Sequence, residues 1–120
     1  MRHLKKGRKF GRIRKIRRAF LCSLLNNLVA KEKIITTEAR AKEIRPLIEK
    51  LLTRAKNDTV SNRRLLRKTL SPKQIKKLFE EIAPRYRDRT GGYTRVVKLN
   101  PRKVGDASPL AVIEFIKTES

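Results

Sequence analysis

This sequence of 120 residues contains one cysteine, one histidine, no tryptophan and only 11 acidic residues. A disulfide framework needs several cysteines, and a zinc site needs a cluster of closely spaced Cys, His or acidic ligands. Neither is expected here, so we predict no metal and no cofactor. The single Cys22 is interpreted as a small helix residue, which fits a reducing compartment.

Residues suited to catalysis are also scarce. General acid–base catalysis commonly uses histidine or paired carboxylates with shifted pKa values. The only histidine, His3, lies in the charged amino-terminal segment, and the adjacent Glu80 and Glu81 are interpreted as surface charges of a helix. The pair Gly91-Gly92 lacks the Lys-Ser/Thr that follows a phosphate-binding loop. The sequence therefore predicts a protein that is not an enzyme and has no small-molecule substrate.

Long apolar runs are absent as well, and none of those present would span a bilayer. A basic amphipathic helix lying on an anionic membrane surface is a distant alternative. The apolar faces of the predicted helices argue against it, because those faces need each other and a sheet. We therefore predict no membrane partner.

Positive charge dominates what the sequence does contain. There are 33 Lys and Arg against 11 Asp and Glu, which gives a formal net charge of +22 at pH 7. Self-repulsion of this size weakens a compact state, and a polyanion relieves it. Nucleic acid phosphates do so while releasing counterions, so the composition predicts nucleic-acid binding. A helix-turn-helix or zinc-finger module for double-stranded DNA is not evident.

The length predicts one domain, and the hydrophobic pattern predicts elements in the order α-β-α-α-α-β-β. The first helix is predicted from about Gly11 to Ala30, since Gly7 and Gly11 are expected to interrupt an earlier start. A strand is predicted over Lys33–Thr36. Thr36 and Thr37 are then expected to supply the cap of a second helix. Its predicted apolar stripe consists of Ala41, Ile44, Ile48, Leu51, Leu52 and Ala55.

The segment Ser71-Pro72-Lys73-Gln74 predicts another helix start. Serine is expected to cap, proline to occupy the first helical position, and glutamine at the third position to bond back to the cap. Pro84 is expected to end this helix. Its predicted core residues are Ile75, Leu78, Phe79 and Ile82. Strands are predicted from Tyr93 to Leu99 and from Leu110 to Ile116.

The first 18 residues are predicted to be a basic RNA-binding arm that runs into the first helix. No acidic residue occurs before Glu32, and blocks of like charge are typical of nucleic-acid-binding arms. A basic tail without a fixed partner and an arginine-rich mitochondrial transit peptide are the alternatives. The predicted RNA-binding residues of the arm are Arg2, His3, Lys5, Lys6, Arg8, Lys9, Arg12, Arg14, Lys15, Arg17 and Arg18.

Two further groups are predicted to contact RNA. The first comprises Arg63 and Arg64, near the start of a predicted helix. The second, expected beside the arm, comprises Arg85, Arg87, Arg89, Gly91, Gly92, Tyr93 and Arg95. Glycines let a backbone approach phosphates closely, and an aromatic ring stacks on bases or ribose. The alternatives are that Tyr93 packs on the sheet and that the arginines are a solvated surface.

Several short motifs occur here in a specific order and spacing. They are Met1-Arg2-His3, Gly7-Arg8, Ile34-Ile35-Thr36-Thr37, Arg40-Ala41-Lys42, Asn62-Arg63-Arg64, Leu78-Phe79, Pro84-Arg85 and Gly91-Gly92-Tyr93-Thr94-Arg95. Through them the chain resembles, essentially from end to end, the bacterial large-subunit ribosomal protein family L-seventeen. Because the chain begins at the family's first residues, a bacterial rather than an organellar protein is expected.

The resemblance implies an α+β fold, a two-layer α/β domain whose small three-stranded mixed sheet is covered by helices. We expect one domain over residues 1–120, with an arm and helix start at 1–18 and a folded core at 19–120. The resemblance also implies a structural constituent of the large ribosomal subunit, located in the cytoplasm. Its partners would be large-subunit ribosomal RNA, on the side where the nascent-chain tunnel opens, and neighbouring ribosomal proteins. The alternative function is a nucleoid-type or RNA-chaperone protein that binds nucleic acid without a fixed site.

Overall fold

The computed structural model describes the backbone of residues 2–99 and 109–117, with side chains from residue 14 onward in these ranges. Its elements confirm the predicted α+β class and the order α-β-α-α-α-β-β. The elements are α1 (Arg2–Lys31), β1 (Lys33–Thr37), α2 (Glu38–Ala55), α3 (Val60–Leu66), α4 (Pro72–Lys77), β2 (Thr94–Lys98) and β3 (Leu110–Phe115).

The sheet has the strand order β1-β3-β2, and its central strand β3 is antiparallel to both neighbours. The prediction of a mixed sheet is therefore wrong. Strands β1 and β2 run in the same direction, but β3 lies between them, so they do not form a parallel pair. Ile113 in β3 pairs with Ile34 of β1 and Val96 of β2. All three pack into the core against the helices, as the two-layer prediction requires.

Helix α2 lies against this face of the sheet. Its buried residues recur at helical spacing and form the apolar stripe expected from the sequence. They are Ala41, Ile44, Ile48, Leu52 and Ala55. At the amino end, Thr37 Oγ1 accepts a hydrogen bond from the Arg40 N–H at 3.3 Å, which confirms the predicted cap.

Helix α1 is longer than predicted, because it begins at Arg2 and continues through Gly7 and Gly11. A glycine inside a helix costs about 1 kcal/mol relative to alanine. The arginine, lysine and leucine residues around these glycines are strong helix formers and offset that cost. The predicted start near Gly11 is therefore wrong.

Only the carboxyl half of α1 packs into the core. Leu25, Leu28 and Val29 are buried, whereas every described side chain from 14 to 20 is exposed. Ile16 and Phe20, which continue the apolar stripe in the sequence, are 66% and 40% exposed. The helix therefore extends past the core.

The helical path does not end at Pro84. After α4 the chain forms a π-helical segment, Leu78–Ile82, and then a 3₁₀ turn, Ala83–Tyr86. The N–H of Ala83 donates to the carbonyl of Leu78, one residue further back than in an α-helix. Pro84 falls in the first turn of the 3₁₀ segment, where its missing N–H costs little. The predicted helix end is therefore wrong.

The start of α4 also differs from its predicted capping box. Pro72 occupies the first helical position as expected, but the Ser71 side chain makes no capping hydrogen bond. The Ser71 N–H, which Gln74 was expected to satisfy, donates instead to Asn26 Oδ1 at 2.9 Å. A residue of α1 thus replaces the local partner and ties the two helices together.

We expect Phe79→Ala to lower the free energy of unfolding by about 3–5 kcal/mol, because a buried aromatic ring is replaced by a cavity. Phe79 is 4% exposed. Urea denaturation measures the change. The matched control is Leu65→Ala, at a residue 45% exposed, which should shift stability by less than about 0.5 kcal/mol. Equal effects of the two substitutions would contradict the core assignment.

Candidate nucleic-acid interface

The basic arm lies on the end of α1 that extends past the core. From Arg14 to Phe20 all side chains are exposed, so cations surround this part of the helix. Two contacts tie it to α2. Arg17 pairs with Glu43, and the Arg40 guanidinium lies 4.5 Å from the centroid of the Phe20 ring. The side chains of Arg2, His3, Lys5, Lys6, Arg8, Lys9 and Arg12 lie outside the described residues.

Arg63 is engaged in the fold. Its Nε and Nη2 donate to the two carboxylate oxygens of Asp58 at 2.7 and 2.9 Å. The guanidinium also lies 5.0 Å from the centroid of the Phe79 ring. Its hydrogen bonds lower the pKa of Asp58 below the ordinary value, although desolvation acts in the opposite direction. Arg64 is exposed and has no carboxylate partner among the described residues, so it is the better placed of the pair for a phosphate.

The second predicted group does not form one surface. Arg85 lies at the carboxyl end of α1, where Nη1 and Nη2 donate to the two Glu32 oxygens at 2.5 and 3.2 Å. The helical rise separates this end from Arg14 by about 25 Å. The expectation that Arg85 lies beside the arm is therefore wrong. Arg89 lies elsewhere, near the carboxyl end of α2, where Lys56 donates to its carbonyl.

Tyr93 is a core residue, with 1% of its surface exposed. Its ring lies 5.4 Å from that of Tyr86, centroid to centroid, at an interplanar angle of 55°. Lys56 Nζ donates to its hydroxyl at 3.2 Å. The ring is buried, so the geometry favours the alternative, a residue packed within the fold, over stacking on RNA.

Gly91 and Gly92 form the turn into β2, with φ angles of 144° and 63° that favour glycine. The Glu49 carboxylate lies next to this turn. It accepts hydrogen bonds from the N–H groups of Tyr93 and Thr94 at 3.2 and 2.9 Å, and from the Thr94 hydroxyl at 2.8 Å. This carboxylate anchors β2 to α2. Its charge also repels a phosphate, so the geometry does not favour the predicted contact at the two glycines.

Arg95 and Arg85 do come together, because both line one cavity of about 840 Å³. Arg95 Nε donates to Glu114 Oε2 at 2.7 Å. Sequence reasoning missed the lysines of this cavity, Lys31, Lys33 and Lys117. The signal that relates Lys33 to Arg95 is the strand register, in which both pair with Glu114. That register becomes evident only when the strand order is known. Arg87 is exposed and does not line this cavity.

Glu32 connects α1 to β1 in a left-handed backbone conformation, with φ of 65°. Such a position after a helix favours glycine, and another residue there is strained. Its carbonyl accepts the Phe115 N–H at 3.1 Å, and its carboxylate binds Arg85 and, at 3.3 Å, Lys77. The Arg85 hydrogen bond lowers the pKa of Glu32; desolvation opposes this and Lys77 adds to it. These contacts offset the strain and hold Arg85 at the cavity.

Sites of other kinds are not indicated in the described ranges. No three His, Cys, Asp or Glu side chains there lie close enough together to hold a metal ion. Across residues 2–99 and 109–117, no helix is both long and apolar enough to cross a membrane. Within these ranges, the charged surfaces are therefore the candidate binding sites.

Comparisons with known proteins agree on one family. The family model described as Ribosomal protein L17 matches residues 20–116. The chain belongs to the ribosomal protein L17 family. Three relatives are each named large ribosomal subunit protein bL17. The Pelobacter propionicus protein is 44% identical over 99% of this chain and 94% of its own length. The Caldanaerobacter subterraneus subsp. tengcongensis protein is 50% identical over 91% of this chain and 97% of its own length. The Trichlorobacter lovleyi protein is 43% identical over 98% of this chain and 94% of its own length.

Membership in the L17 family confirms the resemblance drawn from the short motifs. The family is a structural component of the bacterial large ribosomal subunit, so membership also confirms that the chain is not an enzyme. The basic side chains of this L17 protein fall into two groups: those that form ion pairs within the fold, and those that are exposed and available to bind a partner. Arg63 and Arg85 form ion pairs with carboxylates of the fold, whereas Arg14, Lys15 and Arg18 are exposed on α1.

We expect Glu32→Gln to destabilise the protein at neutral pH by an amount that shrinks in acid. The folded protein binds the Glu32 proton less tightly than the unfolded chain, because the pKa is lowered from 4.5. The ion pair therefore adds stability above the unfolded pKa, and this stability is lost as pH falls through the folded pKa. Denaturation midpoints between about pH 7 and about pH 3 measure the difference from wild type.

The matched control is Glu81→Gln. Glu81 is exposed and forms no ion pair within the described residues, so this variant should follow the wild-type curve. A Glu32→Gln difference that stays constant from neutral to acid pH would contradict the role of its ion pair.

Proposed function

We propose that this chain is a structural constituent of the large ribosomal subunit that binds large-subunit ribosomal RNA through its basic arm and basic surface residues. The proposal rests on family membership. It is supported by helix α1, which carries a run of exposed basic residues past the core. A helix of this kind, anchored at one end and cationic at the other, suits insertion between RNA segments.

Contacts to phosphates carry most of the proposed binding. Neutralising phosphates with lysine and arginine releases counterions and makes affinity strongly salt-dependent. Reading of bases has little support in the described residues, because Tyr86 and Tyr93 are buried. Phe20 is 40% exposed, and Arg40 covers its ring. Recognition would therefore depend on the shape and backbone of the RNA.

The finer parts of the proposal follow from the family resemblance. They are a location in the cytoplasm within the ribosome, a position on the side of the subunit where the nascent chain emerges, and neighbouring ribosomal proteins as partners. Chemical cross-linking of intact large subunits, followed by identification of the peptides joined to this chain, tests both position and neighbours. Cross-links only to proteins remote from the tunnel opening would refute the position.

A nucleoid-type or RNA-chaperone protein is the second candidate, and the net charge of +22 favours it. Sedimentation of a cell lysate through sucrose separates the two functions. A stoichiometric amount of the chain migrating with large subunits supports the ribosomal function. A broad distribution through free RNA and DNA fractions supports the second candidate.

We expect replacement of Arg14, Lys15 and Arg18 by glutamine to lower occupancy in purified large subunits. The salt dependence of RNA binding should also weaken, by about 0.7–0.9 in the log–log slope for each phosphate that is no longer neutralised. Arg17 is left unchanged because it pairs with Glu43.

The matched control replaces Lys68, Lys73 and Lys76, which are exposed on the folded part and carry the same total charge. Circular dichroism checks that both variants fold. An equal drop in occupancy for the two variants would show that net charge, and not the arm, determines incorporation.

A further inference from the structure

The cavity that contains Arg85 and Arg95 has the size of a binding site. Its volume of about 840 Å³ lies within the range of about 300–1,000 Å³ usual for ligand pockets. It is formed where the carboxyl end of α1 meets one end of the sheet. Such pockets are usually lined by apolar side chains, whereas charged groups dominate the lining of this one. The lining therefore favours a charged ligand over an apolar one.

Positive charge prevails in this cavity. Five basic side chains and two carboxylates line it, which leaves a net charge of +3. Each carboxylate is already shared between two cations. Glu114 binds Arg95 at 2.7 Å and Lys33 at 3.9 Å, and Glu32 binds Arg85 at 2.5 Å and Lys77 at 3.3 Å. Lys31 and Lys117 have no carboxylate partner among the described residues. The cavity therefore favours an anion.

Arg95 is oriented for such an anion. It uses Nε to donate to Glu114, and within the described residues neither Nη has an acceptor. The side chain is 62% exposed. A guanidinium held at Nε keeps its two terminal nitrogens in a fixed plane, which is the geometry that matches two oxygens of a phosphate. A lysine at this position would supply charge without that fixed fork.

The carboxyl end of α1 also borders the cavity, and local hydrogen bonds weaken the repulsion that it exerts on an anion. Free carbonyls at a helix end carry partial negative charge and repel phosphate. Here Lys77 Nζ donates to the Ala30 carbonyl at 2.7 Å, and the Glu32 N–H donates to the Leu28 carbonyl at 2.6 Å. Two of the last four carbonyls of α1 are thus hydrogen-bonded within the protein, and Lys77 brings a positive charge to this end.

We propose that this cavity is a second RNA site, which binds backbone phosphates of an RNA segment other than the one bound by the arm. The inference rests on the proposed function and names residues for it that the sequence does not single out: Lys31, Lys33 and Lys117. The separation of about 25 Å between Arg14 and Lys31 along α1 places the two sites at different parts of the RNA. Glu32 and Glu114 are positioning residues for the two arginines.

The test compares two double variants of equal charge. The cavity variant is Lys31→Gln with Arg95→Gln, and the control is Lys73→Gln with Lys98→Gln. Lys98 matches Arg95 closely: it lies on the same strand, is 68% exposed and pairs with a glutamate, Glu38, at 3.4 Å. Neither control residue lines the cavity. Circular dichroism confirms folding of each variant.

The probe is purified large-subunit ribosomal RNA, and binding is measured over a range of salt concentrations with hydroxyl-radical footprinting of the RNA. The cavity variant should lower the log–log salt slope by about 1.4–1.8, as expected when two phosphates are no longer neutralised. It should also lose protection of one RNA segment while keeping the segment that the Arg14, Lys15 and Arg18 variant loses. The control should keep the wild-type slope and footprint.

Three results would overturn the proposal. A wild-type footprint for the cavity variant would refute the second site and leave the proposed function intact. Thermal stabilisation of the wild type, but not of the cavity variant, by inorganic phosphate alone, with identical footprints, would assign the cavity to a free anion. Wild-type protein that binds unrelated RNA as tightly as large-subunit RNA would refute the proposed function and this inference together.

Discussion

Repulsion among 33 basic side chains is the constraint under which this chain folds, because only 11 acidic residues are present to reduce it. Three carboxylates in the described part each bind two cations and thereby join separate elements. Glu32 links the α1–β1 junction to the helical segments after α3, Glu38 links α2 to β2, and Glu114 links all three strands. Exposed ion pairs of this kind contribute little individually. Their importance here is that each places a negative charge between two cations of different elements or turns.

Elements governed by local periodicity were predictable from the sequence. The stripe of α2 and the Thr37 cap depend on residues three or four positions apart, and both lie as expected. Features that depend on residues far apart in the sequence could not be predicted in this way. The partner of the Ser71 N–H is Asn26, 45 positions away. The antiparallel sheet likewise follows from the insertion of β3 between β1 and β2, which no local pattern encodes.

The candidate RNA-binding residues show the same difference between what local sequence predicts and what depends on the fold. Composition predicted that the surface would be cationic, but it did not distinguish arginines that the fold has already engaged from those left for a partner. Arg63 has the same charge as Arg64, yet Asp58 and the Phe79 ring hold only Arg63. Tyr93 follows two glycines in a pattern that suits stacking, yet its ring lies beside Tyr86 in the core. Burial and pairing are properties of the folded chain, and only its three-dimensional structure reveals them.

The uninterrupted course of α1 from the exposed arm to its buried carboxyl half has a consequence for the strength of assembly. Since a continuous helix has essentially one length, the cations at its two ends are held at a fixed spacing of about 25 Å between Arg14 and Lys31. With the two proposed RNA sites at these ends, binding at one end confines the other to a small volume, so its effective concentration near a correctly spaced RNA would be high. Two modest affinities would then combine into strong avidity, but only on RNA already folded to the matching distance. The helix would thereby favour compact RNA over extended RNA without reading a single base.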